Sequence, residues 1–437
     1  MNQLSPKEKY LYIFREFEKS LNGTAVSEFH RIRKNAIDAF DRLDFPTLKN
    51  EDWKYTNISP ILEHNFITVI EQDGIKPFSG VIGNHFIKGL DAVVLVFING
   101  FFSRELSGIP ELPGGVRISS IAELIKKEPA LLNEHLGRYA SLENGFIALN
   151  TAFMQDGAFI SIPDNCSLEK PVHILNLTGF EGKNVLSQPR NLILTGISSH
   201  VKLIESYSSI AGDVNFTNAV TEISAGENSK LEYYKIQDEN SSAYHVSRTQ
   251  IEQKKNSKFT AYTVTTGGLL IRNDLNTLLN GEGCETHFYG LYLGDSKQHI
   301  DNHTMIDHAK PHCFSNELYK GVLNGHSRSV FNGKVYVRPD AQKTNAYQSN
   351  KNILLSRDAH ADTKPQLEIY ADDVKCTHGG TVGQIDEESV FYLRSRGISK
   401  QTAISVLIRA FANDIFEEIK TEQLKEYLNN MIFRKLK

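Results

Sequence analysis

Ser199-His-Val-Lys-Leu203, Ser229-Lys-Leu-Glu-Tyr233 and Ser257-Lys-Phe-Thr-Ala261 are three versions of one short pattern, spaced by roughly 30 and 28 residues, a period that marks solenoids and propellers. They lie in a long tract, from Lys170 to Ser399, of short β-rich runs separated by Gly, Asn, Asp and Ser, with little helical periodicity. Each unit reads as two or three short strands and a polar turn, and such units bury apolar faces only by stacking on neighbours. A parallel β-helix fits best. A propeller needs a clearer blade motif, and a jelly roll does not predict similarity from coil to coil. The later segments keep the texture without a strict period.

Outward from this core, the chain reads as mainly β with an α/β region before it and helices after it. Residues 1–165 form an N-terminal helical and mixed α/β region, 166–385 the β-helix and 386–437 a C-terminal helical domain. Ser5-Pro6-Lys7-Glu8 is a helix start with capping-box chemistry, and Tyr10, Ile13, Phe14, Phe17 and Leu21 follow at helical spacing towards a stop at Gly23. Phe29, Ile32, Ala36, Phe40 and Leu43 mark a second helix that ends before Pro46. Ala92 to Ile98, then Asn99-Gly100, then Phe101-Phe102 read as a buried strand, a tight turn and a return. Shorter helices are expected over 119–127 and 129–142, and a strand over 158–162. Ser399 opens a helix with an apolar stripe of Ile404, Leu407, Ile408, Phe411, Ile415 and Ile419, and Thr421 starts another. Such a stripe packs on its own domain or serves a partner.

At 437 residues the chain has room for a large core, and its 48 basic and 52 acidic residues nearly cancel. That balance gives no reason to expect nucleic acid as a partner. Four scattered cysteines without a CxxC pair read as free thiols in a reducing compartment. The first residues mix charge with apolar groups and offer no signal-peptide core, and the longest apolar run is far short of the ~20 residues that span a bilayer. A soluble cytoplasmic protein with no membrane partner is expected.

The stretch DDVKCTHGGTVG, Asp372 to Gly383, carries the chemistry of most interest. In an extended segment Cys376 and His378 share a face while Thr377 points away, which makes a soft-metal half-site. Two ligands do not complete a tetrahedral centre, and the bland alternative is a buried thiol beside a hydrogen-bonded imidazole. His303, His308 and His312 form the densest cluster of ligand-type residues, but spacings of five and four follow no facing rule, and stacked coils use such residues to satisfy turns. Arg338, Asp340, Asp372 and Asp373 admit a carbohydrate-active groove, or read as turn and surface charges. No phosphate loop, nucleophile elbow, HExxH helix or dinucleotide fingerprint occurs.

Several motifs together resemble one family. NEDWKYT (50–56), FING (97–100), DNHTMIDHA (301–309), SNELYKGVL (315–323), FNGKVYV (331–337), TKPQLEIYADDVKCTHGGTVG (363–383) and FYLRSRGI (391–398) resemble the SufB/SufD family of iron–sulfur cluster assembly proteins. The sequence is closer to the SufD side, because Gly379-Gly380 follows His378 where the SufB side usually carries HEA. The resemblance implies a right-handed parallel β-helix core and a C-terminal helical domain that binds an ATPase partner. It implies a non-catalytic scaffold that pairs end to end with SufB and binds the SufC ATPase, with no nucleotide held by this chain. Homodimerisation of the isolated protein is consistent with it. The resemblance gives His378, and Cys376 beside it, a place at a nascent iron–sulfur cluster shared transiently with SufB. It places partner contacts on Tyr392, Arg394, Arg396 and Phe411, and gives His303 and His308 no ligand role. The competing expectations are a stand-alone β-helix metalloprotein and a carbohydrate-active β-helix enzyme.

Overall fold

The computed structural model describes residues 4–21, 28–68 and 82–436. Its centre is a parallel β-solenoid of about eight turns, each turn giving one strand to each of two sheets. The first sheet stacks Ala158–Ile162, Arg190–Thr195, Asn215–Ala225, Tyr244–Gln253, Leu270–Leu279, His299–His308, Arg328–Val337 and His360–Ile369. The second stacks Val93–Ile98, Val172–Thr178, His200–Ser209, Lys230–Asp238, Lys258–Thr265, Glu285–Gly294, Phe314–Leu323, Asn345–Leu354 and Lys375–Gln384. The repeated pattern is in register: Lys230 pairs with His200 on one side and with Lys258 on the other.

The repeat exists because every turn meets the same corner. Ser198, Asn228, Asn256, Gly283, His312 and Lys343 each take a left-handed conformation there, with φ between 54° and 71°. The next residue is Ser199, Ser229, Ser257, Cys284, Cys313 or Thr344, all buried. In the three serines and Thr344 the hydroxyl donates to the carbonyl three residues back, at 2.6–2.8 Å. Cys284 makes the same contact through sulfur at 3.1 Å. Replacement of serine by thiol and threonine in the later turns is why the sequence period fades.

Inside the solenoid, alternate side chains of the two sheets meet in one apolar cluster that runs from Val93 to Phe331. Gly290 and Gly321 are there for space. Gly290 pairs with Tyr319 and Tyr292 with Gly321, so each ring lies over a neighbouring glycine. A Cβ on Gly290 would stand 2.1 Å from the Tyr319 ring. Gly290→Ala is therefore expected to lower stability by about 1–3 kcal/mol, read as a shifted urea midpoint; an unchanged midpoint would show that the ring has another place to go. Not all of the interior is apolar. The Glu205 carboxylate accepts from Tyr207, Tyr233, Thr221 and Asn191, and burial lowers the Lys235 ammonium beside it to about 8.

At the first end the solenoid is closed. Val93–Ile98 turns back through Asn99 and Gly100, both at positive φ, into the antiparallel Phe101–Gly108, and Arg117–Ser120 pairs antiparallel with Ala158–Ile162. Helix Pro6–Ser20 starts on the full Ser5/Glu8 capping box, and helix Glu28–Leu43 packs beside it; Gly23 lies outside the described residues. The expected 129–142 helix ends at His135. The chain departs at Gly137, φ +78°, because the N–H groups of Gly137, Tyr139 and Ala140 are given to the buried Glu222 carboxylate at 2.8–3.0 Å. Helix Gly145–Phe153, capped by Asn144, has no counterpart in the sequence reading, since it is buried on every side and has no amphipathic period.

The C-terminal helices cover the outer face of the second sheet. Ile408, Ala412, Ile415, Phe416, Leu424, Leu428 and Met431 pack on Ile204, Tyr234, Ile236, Tyr262, Val264 and Leu291. These helices are Lys400–Phe416, capped by Ser399, and Glu422–Lys435, starting after Thr421. A further helix, Glu387–Ser395, precedes them where the sequence reading had only the end of the β-region. Its signal was present: Asp386 caps it through Glu388 and Ser389, and Glu387 and Glu388 favour its first turn. Among the described residues no helix is long and apolar enough to cross a membrane.

Candidate functional site

Among the described residues no further turn lies upon the last turn of the solenoid. Its strands, His360–Ile369 and Lys375–Gln384, are the terminal strands of the two sheets, and each pairs with one neighbour. Side chains that would be core in any earlier turn are uncovered here: Ile369 is 39% exposed and Val382 43%. Two ten-residue edges of unpaired backbone and an open apolar mouth form the kind of surface that another chain covers.

Cys376 and His378 lie in that mouth. Cys376 pairs with Ala346 and His378 with Gln348, both buried interior residues, so the two side chains share the inward face and Thr377 points away. The shared face expected from the two-residue spacing is present. Cys376 is half-buried against the cluster of Val335, Val337 and Ala346, and burial pushes its thiol up from the ordinary value, so the protonated form prevails. His378 is exposed at the mouth. Gly380 is the next inward position, where a Cβ would come 3.0 Å from Thr363 of the opposite strand.

The three histidines of the other cluster are not brought together. His303 faces outward, its Nε2 3.1 Å from Asp301, and Arg272 donates to the same Asp301 at 2.6 Å. Above them sits the NEDWKYT segment. Trp53 is buried with the Arg272 guanidinium 4.3 Å from its ring centroid, and Thr56 donates to Asp301 at 2.5 Å. Beside Arg272 the Asp301 carboxyl is held far below the carboxylate range despite its burial. His308 faces inward onto Ser315 at 2.9 Å, and His312 is a corner residue. This arrangement locks the N-terminal arm onto the solenoid, and among the described residues no three His, Cys, Asp or Glu side chains are grouped to hold a metal ion.

Of the four charges admitted as a carbohydrate groove, Arg338 makes a two-point pair with Asp307, at 2.9 and 2.7 Å, and Asp373 pairs with Lys343. Both pairs join adjacent turns at the corner. Tyr392, Arg394 and Arg396 are exposed on helix Glu387–Ser395 and its C-cap, with the Arg396 guanidinium 5.1 Å from the Tyr392 ring centroid. Phe411 is partly buried, its carbonyl and ring holding the Lys320 ammonium, with Nζ 2.7 Å from the carbonyl oxygen and 4.7 Å from the ring centroid. Glu317 and Gln348 are the interior residues that stand in line beneath His378. Glu317 lies in the SNELYKGVL motif, but nothing local marks Gln348.

Two family descriptions match the chain. "SUF system FeS cluster assembly, SufBD core domain" matches residues 178–411, and "SufBD protein N-terminal region" matches 4–174. The chain is 33% identical to the iron–sulfur cluster assembly SufBD family protein slr0076 of Synechocystis sp., covering 97% of this chain and 95% of that protein. It is 31% identical to the iron–sulfur cluster assembly protein SufD of Escherichia coli, over 90% of each. It is 27% identical to protein ABCI7, chloroplastic, of Arabidopsis thaliana, over 97% and 90%. With both regions of the fold matched and a SufD homologue aligned along nearly its whole length, the chain belongs to the SufBD family of iron–sulfur cluster assembly proteins.

Proposed function

We propose that this chain is a non-catalytic scaffold subunit of a cytoplasmic SUF assembly complex, and that its open solenoid end pairs with SufB around a nascent iron–sulfur cluster. The observation that carries this reading is the position of Cys376 and His378. They share the inward face of a terminal turn that no other part of the described chain covers. A thiol and an imidazole supply two soft donors, and a cluster needs about four, so the remainder come from the surface that closes the mouth. Iron and sulfide are substrates of the assembled complex, and the nucleotide is held by its SufC ATPase. SufC binds the C-terminal helices, where Tyr392, Arg394 and Arg396 lie exposed. Movement of those helices reaches the mouth directly, because helix Glu387–Ser395 begins three residues after the strand that bears His378. An ATP-driven shift that opens the pair admits iron and sulfide to the donors.

The test is anaerobic co-expression of this chain with its SufB and SufC partners, comparing iron and acid-labile sulfide per purified complex. His378→Ala is expected to leave the three proteins associated and to lower cluster content at least several-fold. Unchanged iron and sulfide would remove His378 from the chemistry and leave this chain a structural partner.

A further inference from the structure

One inward row of the second sheet runs Phe288, Glu317, Gln348, His378, one residue per turn, each in register with the next. Glu317 is 1% exposed and Gln348 3%. Gln348 Nε2 donates to Glu317 Oε2 at 2.7 Å. With Nε2 given to Glu317, Oε1 is the amide atom left to face the rest of the row. That oxygen is buried without a hydrogen-bond partner. Space for this side chain is made by Gly333 of the opposite sheet, where a Cβ would stand 2.3 Å from Gln348 Nε2. An acceptor so placed is costly unless something uses it. His378 is the next residue of the row, one strand spacing of ~4.8 Å further towards the mouth, and its imidazole carries one N–H in the neutral form.

We propose that Gln348 is a positioning residue for His378. Its Oε1 accepts the N–H of one imidazole nitrogen, and Glu317 holds the amide in the orientation that presents that oxygen. The hydrogen bond selects one neutral tautomer and leaves the lone pair of the other nitrogen directed out of the mouth, as partners of metal-binding histidines do elsewhere. This inference rests on the reading of His378 as a donor to the cluster, but the hydrogen bond is measurable without any cluster.

The experiment is nitrogen-15 spectroscopy of the imidazoles in the full-length, metal-free chain, with His378 assigned by the signals lost in His378→Ala. The wild type is expected to show the neutral tautomer ratio of His378 displaced roughly fivefold or more from that of a free imidazole, the population shift of a single hydrogen bond. Gln348→Leu is expected to return the ratio to that of a free imidazole, and so is Glu317→Leu, which frees the amide. Glu317→Gln keeps an acceptor for Gln348 Nε2 and is expected to retain the wild-type ratio. A wild-type ratio in Gln348→Leu overturns the proposal. If that variant does not fold, equal ratios in Glu317→Leu and Glu317→Gln overturn it instead. In the co-expressed complex Gln348→Leu is expected to lower iron and sulfide several-fold. A tautomer preference that depends on Gln348, together with full cluster content in His378→Ala, upholds the positioning and removes the cluster role of His378.

Discussion

Replacing Arg190 with methionine is expected to destabilise the protein by about 3–5 kcal/mol, the usual cost of stranding one member of a buried ion pair. Arg190 and Glu222 have fully buried side chains and are paired directly, on the outer face of the first sheet. Arg190 also donates to Thr151 at 2.8 Å and Asn150 at 3.2 Å, both on the buried helix Gly145–Phe153. Glu222 takes the three backbone N–H groups of the 137–140 turn. Without the guanidinium, the carboxylate keeps its backbone donors but loses its counter-charge, and two helix side chains lose a donor. Glu222→Leu is expected to cost a similar amount, since it leaves an unpaired guanidinium and three unsatisfied N–H groups. The double variant Arg190→Met/Glu222→Leu is expected to be less damaged than the two singles added together. Urea midpoints of the four proteins decide the matter, and single variants within about 1 kcal/mol of wild type would mean that water reaches the pair.

Acidification from pH 7 to about 4.5 is expected to cost about 3 kcal/mol of stability before any carboxylate ion pair is broken. His173 and His308 are buried on Ser206 and Ser315, and burial lowers each imidazole to about 4. In the unfolded chain they titrate near ~6.5. Between these values the unfolded state binds protons that the folded state refuses. The stabilisation is therefore complete above ~6.5 and lost as pH falls towards 4, at about 1.4 kcal/mol per pH unit for each histidine. Glu317 acts in the opposite sense. Burial pushes its carboxyl up to about 7, so from there down to its unfolded value of ~4.3 the folded state holds the extra proton, and falling pH favours folding. Two histidines less one glutamate leave a slope of about one group. His299 and His245 are shifted downward by burial as well and act in the same direction as His173 and His308. Glu317→Gln removes the opposing group and is expected to make the loss larger, while His308→Gln is expected to make it smaller. Unfolding midpoints at pH 7, 6, 5 and 4.5 for the three proteins test this, and parallel profiles would refute it.

Several features of this protein were determined by local sequence alone, and each rests on chemistry contained in a few consecutive residues. Ser5 and Glu8 cap a helix by bonding each other's backbone, Asn99-Gly100 supplies the two positive φ values of a tight hairpin, and Ser399 caps the helix that follows it. The solenoid itself was legible at Ser199, Ser229 and Ser257, because each corner sets the same local demand for a left-handed residue followed by a small hydroxyl. The shared face of Cys376 and His378 followed from the two-residue period of a strand. Helix Gly145–Phe153 was not legible, since a helix buried all round shows no stripe, and the 129–142 helix was cut short by Glu222, more than eighty residues away in the chain. Tertiary structure alone decided that Cys376 and His378 stand in an open mouth, because that depends on no further turn being stacked above them. It also decided that Glu317 and Gln348 stand beneath His378. Neighbours in a solenoid row are separated by a full turn of chain, so their contact comes from the stacking register, which no short stretch of sequence encodes.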